Sequence, residues 1–165
     1  MCLQITNFMQ KEFHVVLDGI RSLLNVGSVF RTAEALGFKK VFLCGITPAP
    51  ISGRQKREVH KTALAAEEYI EWEKFGQTWQ LLKMLKKEGF YIIGLELTNR
   101  AISLNKFRLP KKQKIALVIG HERKGISAKI LKRCDKIVEI PMVGRKESLN
   151  VSVAFGIAAF WLQNS

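Results

Sequence analysis

The stretch that decides the fold is IALVIGHERKGIS, residues 115–127. Its first part, IALVIG, is apolar and rich in β-branched side chains, and polar residues follow soon after it, which is typical of a buried strand that ends in a turn. Four further runs have the same character: FHVVL (13–17), KVFLC (40–44), FYIIGL (90–95) and KIVEIP (136–141). Because such runs offer apolar side chains to both faces, they predict central parallel strands that are covered on both sides.

Helical patterns lie between several of these runs. Residues 25–36 predict a helix that Gly37 closes, and residues 77–88 predict a second helix that Gly89 closes, because glycine adopts the left-handed conformation that commonly follows a helix. The alternation of strands and helices predicts an α/β fold with a mostly parallel sheet and helices on both of its faces. The sequence has no repeat or low-complexity linker, so we expect a single domain over residues 1–165.

The composition indicates a soluble, cytoplasmic protein. The longest apolar run, residues 153–162, has ten residues, whereas a membrane-spanning helix needs about 20. The first residues lack the basic-then-apolar order of a signal peptide. The three cysteines are far apart and free of CxxC spacing, so we expect neither a disulfide framework nor a zinc site, and a reducing compartment fits best.

Positive charge is concentrated in the second half of the chain. The 27 Lys and Arg against 14 Asp and Glu give a net charge of +13, and residues 100–136 alone contain twelve basic and two acidic side chains. Such a field attracts a polyanion through phosphate contacts. Nucleic acid is the partner we expect, and a solvated basic surface is the alternative. The candidate contacts are Arg54, Lys56, Arg57, Lys111, Lys112, Lys114, Arg123 and Lys124.

The last predicted helix, residues 149–163, is apolar around most of its circumference. Its large apolar side chains are Val151, Val153, Phe155, Ile157, Phe160, Trp161 and Leu162. One face can pack on the sheet, and the opposite face then needs a second chain, so the pattern predicts a homodimer. The alternative is a helix that its own domain surrounds.

Three polar clusters follow predicted strands or loops: residues 25–33, 120–122 and 148–152. Ligands of open parallel sheets bind at the carboxyl ends of strands, so the clusters suit one shared site. Residues 120–127 imitate a phosphate-binding loop, but Ile126 occupies the position of that loop's lysine. The dinucleotide fingerprint GxGxxG and a nucleophile elbow are also absent. The three polar clusters alone do not identify a cofactor.

Three stretches, in order, resemble the motifs of a known family. NVGSVFRTAEALGF (25–38), IALVIGHERKGIS (115–127) and IVEIPMVGRKESLNVSVAFGIAAF (137–160) are similar to motifs 1, 2 and 3 of the SpoU or TrmH-like branch of the SPOUT RNA methyltransferases. HKTALAAEEYIEW (60–72) extends the resemblance to nearly the whole chain. It departs at His121, where the family often has Asn or Ser, and at Ala65, where it often has glycine.

The resemblance implies a fold, an activity and a cofactor. The fold would be a SPOUT-type α/β knot, whose C-terminal segment forms a trefoil knot that holds S-adenosylmethionine at a dimer interface. The activity would be methylation of a ribose 2′-hydroxyl in structured RNA. We expect tRNA first, because a compact dimer can embrace a small folded RNA, and ribosomal RNA second. A catalytically silent RNA-binding protein is the alternative from another class.

The resemblance also implies roles for particular residues. Arg31 would be the catalytic arginine, arranged by Asn25, Glu122, Ser148 and Asn150. The cofactor pocket would be lined by Leu95, Glu96, Gly120, Ile140, Met142 and Leu149. Because guanidinium stays protonated, we interpret Arg31 as an electrostatic clamp on the reacting oxygen. Glu122 is expected to hold Arg31 through a bidentate pair, or else to cap the turn that follows it.

Overall fold

The computed structural model describes residues 11–111 and 114–165, which form a single parallel β-sheet flanked by helices. The strands are β1 (Glu12–Asp18), β2 (Lys40–Cys44), β3 (Glu71–Phe75), β4 (Tyr91–Leu95), β5 (Ile102–Ser103), β6 (Lys114–Gly120) and β7 (Lys136–Glu139). The helices are α1 (Leu23–Ala35), α2 (Gly53–Ala63), α3 (Ala66–Tyr69), α4 (Thr78–Lys87), α5 (Ala128–Leu131) and α6 (Val151–Gln163). The spatial strand order is β3-β2-β1-β6-β4-β7-β5.

The five apolar runs form the strands that the sequence predicts. Strand β1 lies inside the sheet, where Val15 pairs with Val41 of β2 on one side and with Leu117 of β6 on the other. Every pairing between named strands is parallel. Because both faces of these strands are buried, continuous apolar runs replace the alternating pattern of a half-exposed sheet.

Helices cover both faces of the sheet, as expected. Helices α1, α2 and α6 share one core with Val15 and Leu117, to which they contribute Phe30, Val59 and Phe155. Helices α4 and α5 share a second core on the opposite face. The prediction of an α/β fold with a mostly parallel sheet is therefore confirmed, whereas the trefoil knot stays a prediction.

Several local features differ from the sequence-based expectation. Helix α1 begins before Asn25, and its N-cap is Ser22, whose hydroxyl accepts a hydrogen bond from the amide of Asn25 (3.3 Å). The sequence also gave no sign of α2, because its residues are strongly polar and bury only Val59 and Ala63. Strand β3 was missed for a similar reason, since this edge strand mixes charged and aromatic side chains.

Helix α6 buries one face and exposes the other. Phe155, Ala158 and Leu162 are fully buried in the core that includes α1. On the other face, Val153, Ile157 and Phe160 are 50%, 43% and 62% exposed. The apolar strip that the sequence predicts is therefore present. None of the described helices has the length and apolarity to cross a membrane.

Candidate active site

A pocket of about 370 Å³ lies where β4, β6 and β7 end. Each of these parallel strands leaves its last residues at the same edge of the sheet, which is where such sheets bind ligands. The residues expected to line a cofactor pocket all meet here: Leu95, Glu96, Gly120, Ile140, Met142 and Leu149. Glu122 and Ser148 of the expected catalytic set also line it.

A tight turn after β6 shapes one wall of this pocket. A side chain on Gly120 would lie 2.5 Å from the backbone nitrogen of Ile126, so only glycine permits this approach. The turn is closed by a hydrogen bond from the Gly125 amide to the His121 carbonyl (2.8 Å). The carboxylate of Glu96 accepts from the Ile126 amide (2.6 Å) and thereby ties the turn to the end of β4.

Glu122 is held by donors from the start of α1. Its carboxylate accepts hydrogen bonds from the backbone amides of Ser22 (3.0 Å) and Arg21 (3.2 Å) and from the side-chain amide of Asn25 (3.3 Å). Partial burial raises the pKa of Glu122, but these donors outweigh that effect and leave its pKa below the ordinary value. Glu122 is therefore an ionised anchor in the neutral pH range.

Asn25 and Asn150 continue this network. The side-chain amide of Asn150 donates to the Asn25 side-chain oxygen (3.1 Å), and the Asn150 oxygen accepts from the Ser152 amide (2.9 Å) to cap α6. A continuous chain of hydrogen bonds thus joins Glu122, Asn25 and Asn150. The three polar clusters, which lie far apart in the sequence, meet beside one pocket.

Arg31 and Glu122 do not form the expected pair within this chain. The Glu122 carboxylate is occupied by the donors around the start of α1, and Arg31 is exposed without an ion pair to any residue that the structure describes. Arg31 lies six positions after Asn25, which rotates it about 240° around the helix axis. Glu122 also does not cap the turn after it, because its donors are the backbone amides of Arg21 and Ser22 before α1 and the side chain of Asn25 within α1.

The predicted RNA-contacting cations lie at different edges of the sheet. Arg123 lines the pocket and Lys124 follows it, and α2, which contains Arg54, Lys56 and Arg57, comes after the carboxyl end of β2. Lys114 instead begins β6. A seven-residue strand is about 20 Å long, so Lys111 and Lys114 lie towards the amino-terminal ends of the strands, opposite the pocket. Lys112 is outside the described residues.

Two acidic residues of the pocket wall are not among the site residues predicted from the sequence. Glu139 ends β7 and Glu147 lies in the loop before α6, and both line the pocket. The available signal was an acidic side chain at the end of the apolar run KIVEIP. Strand ends are where a polar side chain can face a ligand instead of the core.

A separate group of side chains lies at the junction of α2 and α3. His60 and the buried Glu67 form a 2.7 Å contact, and Glu68 is close enough that the three could share an ion. Lys56 and Arg57 line the same recess. These two cations disfavour a bound metal ion, so the group is better described as a local ion-pair cluster of the junction.

The fold and this pocket define an α/β protein with a pocket at the carboxyl ends of parallel strands, the usual place for a small ligand in such folds. The model of the SpoU rRNA Methylase family matches residues 12–160, so the chain belongs to this family. The resemblance in the three motifs is therefore confirmed. The residue roles that it implies stay predictions.

Relatives with established names are similar over most of the chain. The 23S rRNA (guanosine-2′-O-)-methyltransferase RlmB of Blochmanniella floridana is 36% identical over 88% of the chain and 55% of its own length. The crystal structure of an AdoMet-bound rRNA methyltransferase from Sinorhizobium meliloti is 25% identical, with a TM-score of 0.85 over 94% of the chain and 57% of that protein. The chain spans little more than half the length of these two relatives.

One solved structure is similar over nearly its full length. It is described as giving structural insights into the 2-OH methylation of C/U34 on tRNA, and it is 26% identical to this chain with a TM-score of 0.78. The similarity covers 92% of this chain and 94% of that protein.

Proposed function

We propose that this protein transfers a methyl group from S-adenosylmethionine to a ribose 2′-hydroxyl of structured RNA. The single observation that carries the proposal is the hydrogen-bonded chain of Glu122, Asn25 and Asn150 beside a pocket at the strand ends. Membership of the SpoU rRNA Methylase family supports it. The AdoMet-bound S. meliloti relative supports the choice of cofactor.

The pocket fits such a cofactor by its size and its backbone surface. The close approach of Gly120 to Ile126 leaves a smooth wall, and Leu95, Ile140 and Leu149 add apolar surface for a purine ring. When bound, S-adenosylmethionine supplies an activated methyl group on a sulfonium. The protein then needs to orient the hydroxyl and to stabilise the negative charge that develops on its oxygen.

Arg31 is the residue proposed to stabilise that charge. Its guanidinium stays protonated, so it acts as a clamp on the oxygen and on an adjacent phosphate. The exposed position of Arg31, apart from the pocket of its own chain, suits an active site at the proposed dimer interface, where Arg31 of one protomer would act on RNA bound at the pocket of the other. Asn25, Ser148 and Asn150 would orient the ribose, with Glu122 fixing the position of Asn25.

The substrate we propose is tRNA. The structure that concerns tRNA methylation is similar over 94% of its own length, so the proposed activity can reside in a chain of about this size. Ribosomal RNA is the second candidate because the RlmB relative, which is 36% identical, is named as a 23S rRNA methyltransferase. We also propose that the protein is a single domain, that it is cytoplasmic and that it forms a homodimer. The apolar strip that α6 exposes supports the dimer.

Methyl-transfer assays test the proposal directly. Purified protein would be incubated with radiolabelled S-adenosylmethionine and with deproteinised tRNA or rRNA pools, and the modified nucleoside would be identified by mass spectrometry. Incorporation into tRNA as a 2′-O-methylnucleoside is the expected result. Incorporation into rRNA alone would show that the second candidate, ribosomal RNA, is the substrate. Cofactor binding without transfer to either pool, or no binding, would favour the silent RNA-binding protein.

A further inference from the structure

The acidic side chains of the second half of the chain are concentrated in one place. Residues 83–165 contain seventeen Lys and Arg but six Asp and Glu. Four of these six line the pocket: Glu96, Glu122, Glu139 and Glu147. Of the other two, Asp135 pairs with Lys86 (2.8 Å) and Glu88 follows α4 outside the pocket. A strongly basic protein therefore contains an acidic pocket.

The four carboxylates differ in how their charge is balanced. Glu96 and Glu122 accept hydrogen bonds from backbone amides, which partly balance their negative charge. Glu139 and Glu147 have no side-chain hydrogen bond or ion pair with the described part of the chain. Among the described residues of the pocket wall, Arg123 is the one Lys or Arg. The pocket consequently has a net negative charge that a cationic ligand would balance.

We infer that these carboxylates make the pocket selective for the positively charged methyl donor over the uncharged thioether product. The inference rests on the proposed function. Methyl transfer leaves the S–C bonding electrons on sulfur, so donor and product share the adenosine and amino-acid parts and differ by one methyl group and one charge. Contacts to the shared parts cannot separate the two ligands, whereas a negative pocket can.

This selectivity has a consequence for turnover. The attraction between the pocket and its ligand falls at the moment the positive charge on sulfur is lost. The product is then held less tightly than the donor, which favours its exchange for a new donor. The RNA phosphates meet the basic residues outside the pocket, such as Arg54 and Lys124, so opposite charges recruit the two substrates to adjacent places.

Calorimetry with three ligands tests the inference. The ligands are S-adenosylmethionine, S-adenosylhomocysteine and sinefungin, in which an ammonium group restores a positive charge beside the position of sulfur. Wild type is compared with Glu139→Gln and Glu147→Gln, and Glu88→Gln is the matched control because Glu88 lies outside the pocket. Each dissociation constant is measured at low and at moderate salt.

In each pocket variant, the binding of S-adenosylmethionine and of sinefungin is expected to weaken about threefold relative to the binding of S-adenosylhomocysteine. This is the size of effect expected from the loss of one partly exposed charge. The Glu88→Gln control should leave the ratio of the dissociation constants of the charged and uncharged ligands unchanged. Added salt should weaken the binding of the two cationic ligands more than the binding of the thioether. Equal effects on all three ligands would overturn the inference while leaving the proposed function intact. Failure of all three to bind wild type would instead overturn the proposed function.

Discussion

Arg31 differs from Asn25, the other candidate catalytic residue of its motif, in taking no part in the hydrogen-bonded network beside the pocket. Asn25, in the first turn of α1, contacts Glu122 and Asn150, whereas Arg31 is exposed and makes no side-chain hydrogen bond to a residue that the structure describes. A residue in this position can contact RNA without shaping the cofactor pocket. Its contribution to cofactor binding and its contribution to methyl transfer can therefore be separated by experiment.

We expect Arg31→Ala to reduce methyl transfer about 100-fold or more, which is typical for loss of a group that stabilises a developing oxyanion. Affinity for S-adenosylmethionine should stay within about twofold of wild type by calorimetry, since a substitution that leaves the pocket intact changes little. Arg31→Lys should restore only a small part of the rate, because lysine lacks the planar fork of guanidinium. Near-normal turnover by Arg31→Ala would contradict the assigned role.

His14 is a buried titratable residue of β1 on the side of the sheet covered by α4. Its Nε2 lies 2.9 Å from a Glu12 carboxylate oxygen, and the centroid of its ring lies 4.5 Å from the ring centroid of Phe90. The other ring nitrogen, Nδ1, has no hydrogen-bond partner among the residues described. Burial lowers the pKa of His14 below its ordinary value, although Glu12 partly offsets this effect.

Because the pKa of His14 is lower in the folded state, the unfolded chain binds its proton more readily. The stability of the native protein should therefore fall as the pH decreases through about 6.5, the pKa of an unperturbed histidine. His14→Phe keeps an aromatic ring beside Phe90 and removes the titration. Urea unfolding at pH 8 and pH 5.5 should show a smaller loss for this variant than for wild type. Equal losses would show that His14 does not contribute.

At the scale of elements, α1 and α2 approach each other unusually closely at Gly27. A side chain on Gly27 would overlap the Thr62 hydroxyl and the Val59 carbonyl. The Thr62 hydroxyl also donates to the Leu24 carbonyl (2.8 Å) and so links the two helices. This contact fixes the first turn of α1, which presents Asn25 to the pocket network.

Gly27→Ala should lower the free energy of unfolding by about 1–3 kcal/mol, as expected when a methyl group is forced into a packed contact. The gain in helix propensity, about 1 kcal/mol, will not compensate for a backbone overlap. Gly156→Ala is the matched control in α6, since its new methyl would meet Thr32 at 3.8 Å, an ordinary contact. Chemical denaturation measures both. A neutral Gly27→Ala would mean that the helices separate easily.

The exposed strip of α6 is the element proposed to form the dimer. Ile157 lies at the middle of the strip, between Val153 and Phe160. Burial of apolar surface stabilises by about 25 cal/mol per Å², and a buried unpaired carboxylate opposes it. Ile157→Glu should therefore convert a dimer to a monomer in light scattering at micromolar concentration.

The control for that experiment is Ile51→Glu, because Ile51 is equally apolar, 67% exposed and outside α6. This variant should keep the oligomeric state of wild type. A monomeric wild-type protein would contradict the dimer outright. A dimer that survives Ile157→Glu would place the interface on another surface.

The elements differ in how well the sequence predicts them. Buried strands such as β1 and β6 could be predicted because a continuous apolar run indicates a strand that is buried on both faces. Helix α2 was missed because two buried residues give too little periodicity, and β5 because two residues give none. The network of Glu122, Asn25 and Asn150 depends on packing between distant segments, which no local pattern shows.

Across the whole molecule, opposite charges occupy different places. Acidic residues of the second half line the pocket together with Arg123, whereas Arg54, Lys56 and Arg57 lie on α2, which follows the carboxyl end of β2. Lys114 begins β6, at the opposite end of the strands from the pocket. This arrangement changes the order of the RNA-contacting candidates, because α2 follows a strand end on the pocket side of the sheet, whereas Lys114 lies at the other end.

The salt dependence of RNA binding distinguishes the two sets of cations. Replacing Arg54, Lys56 and Arg57 with alanine should weaken binding and flatten the slope of log affinity against log salt by roughly 0.7–0.9 for each phosphate contact that is lost. Replacing Lys111, Lys112 and Lys114 removes the same number of charges and should have a smaller effect, since the loop precedes β6. None of the described residues of the two sets lines the pocket, so both variants should bind S-adenosylmethionine as wild type does. A larger change of slope in the lysine variant would place the RNA across the far edge of the sheet instead.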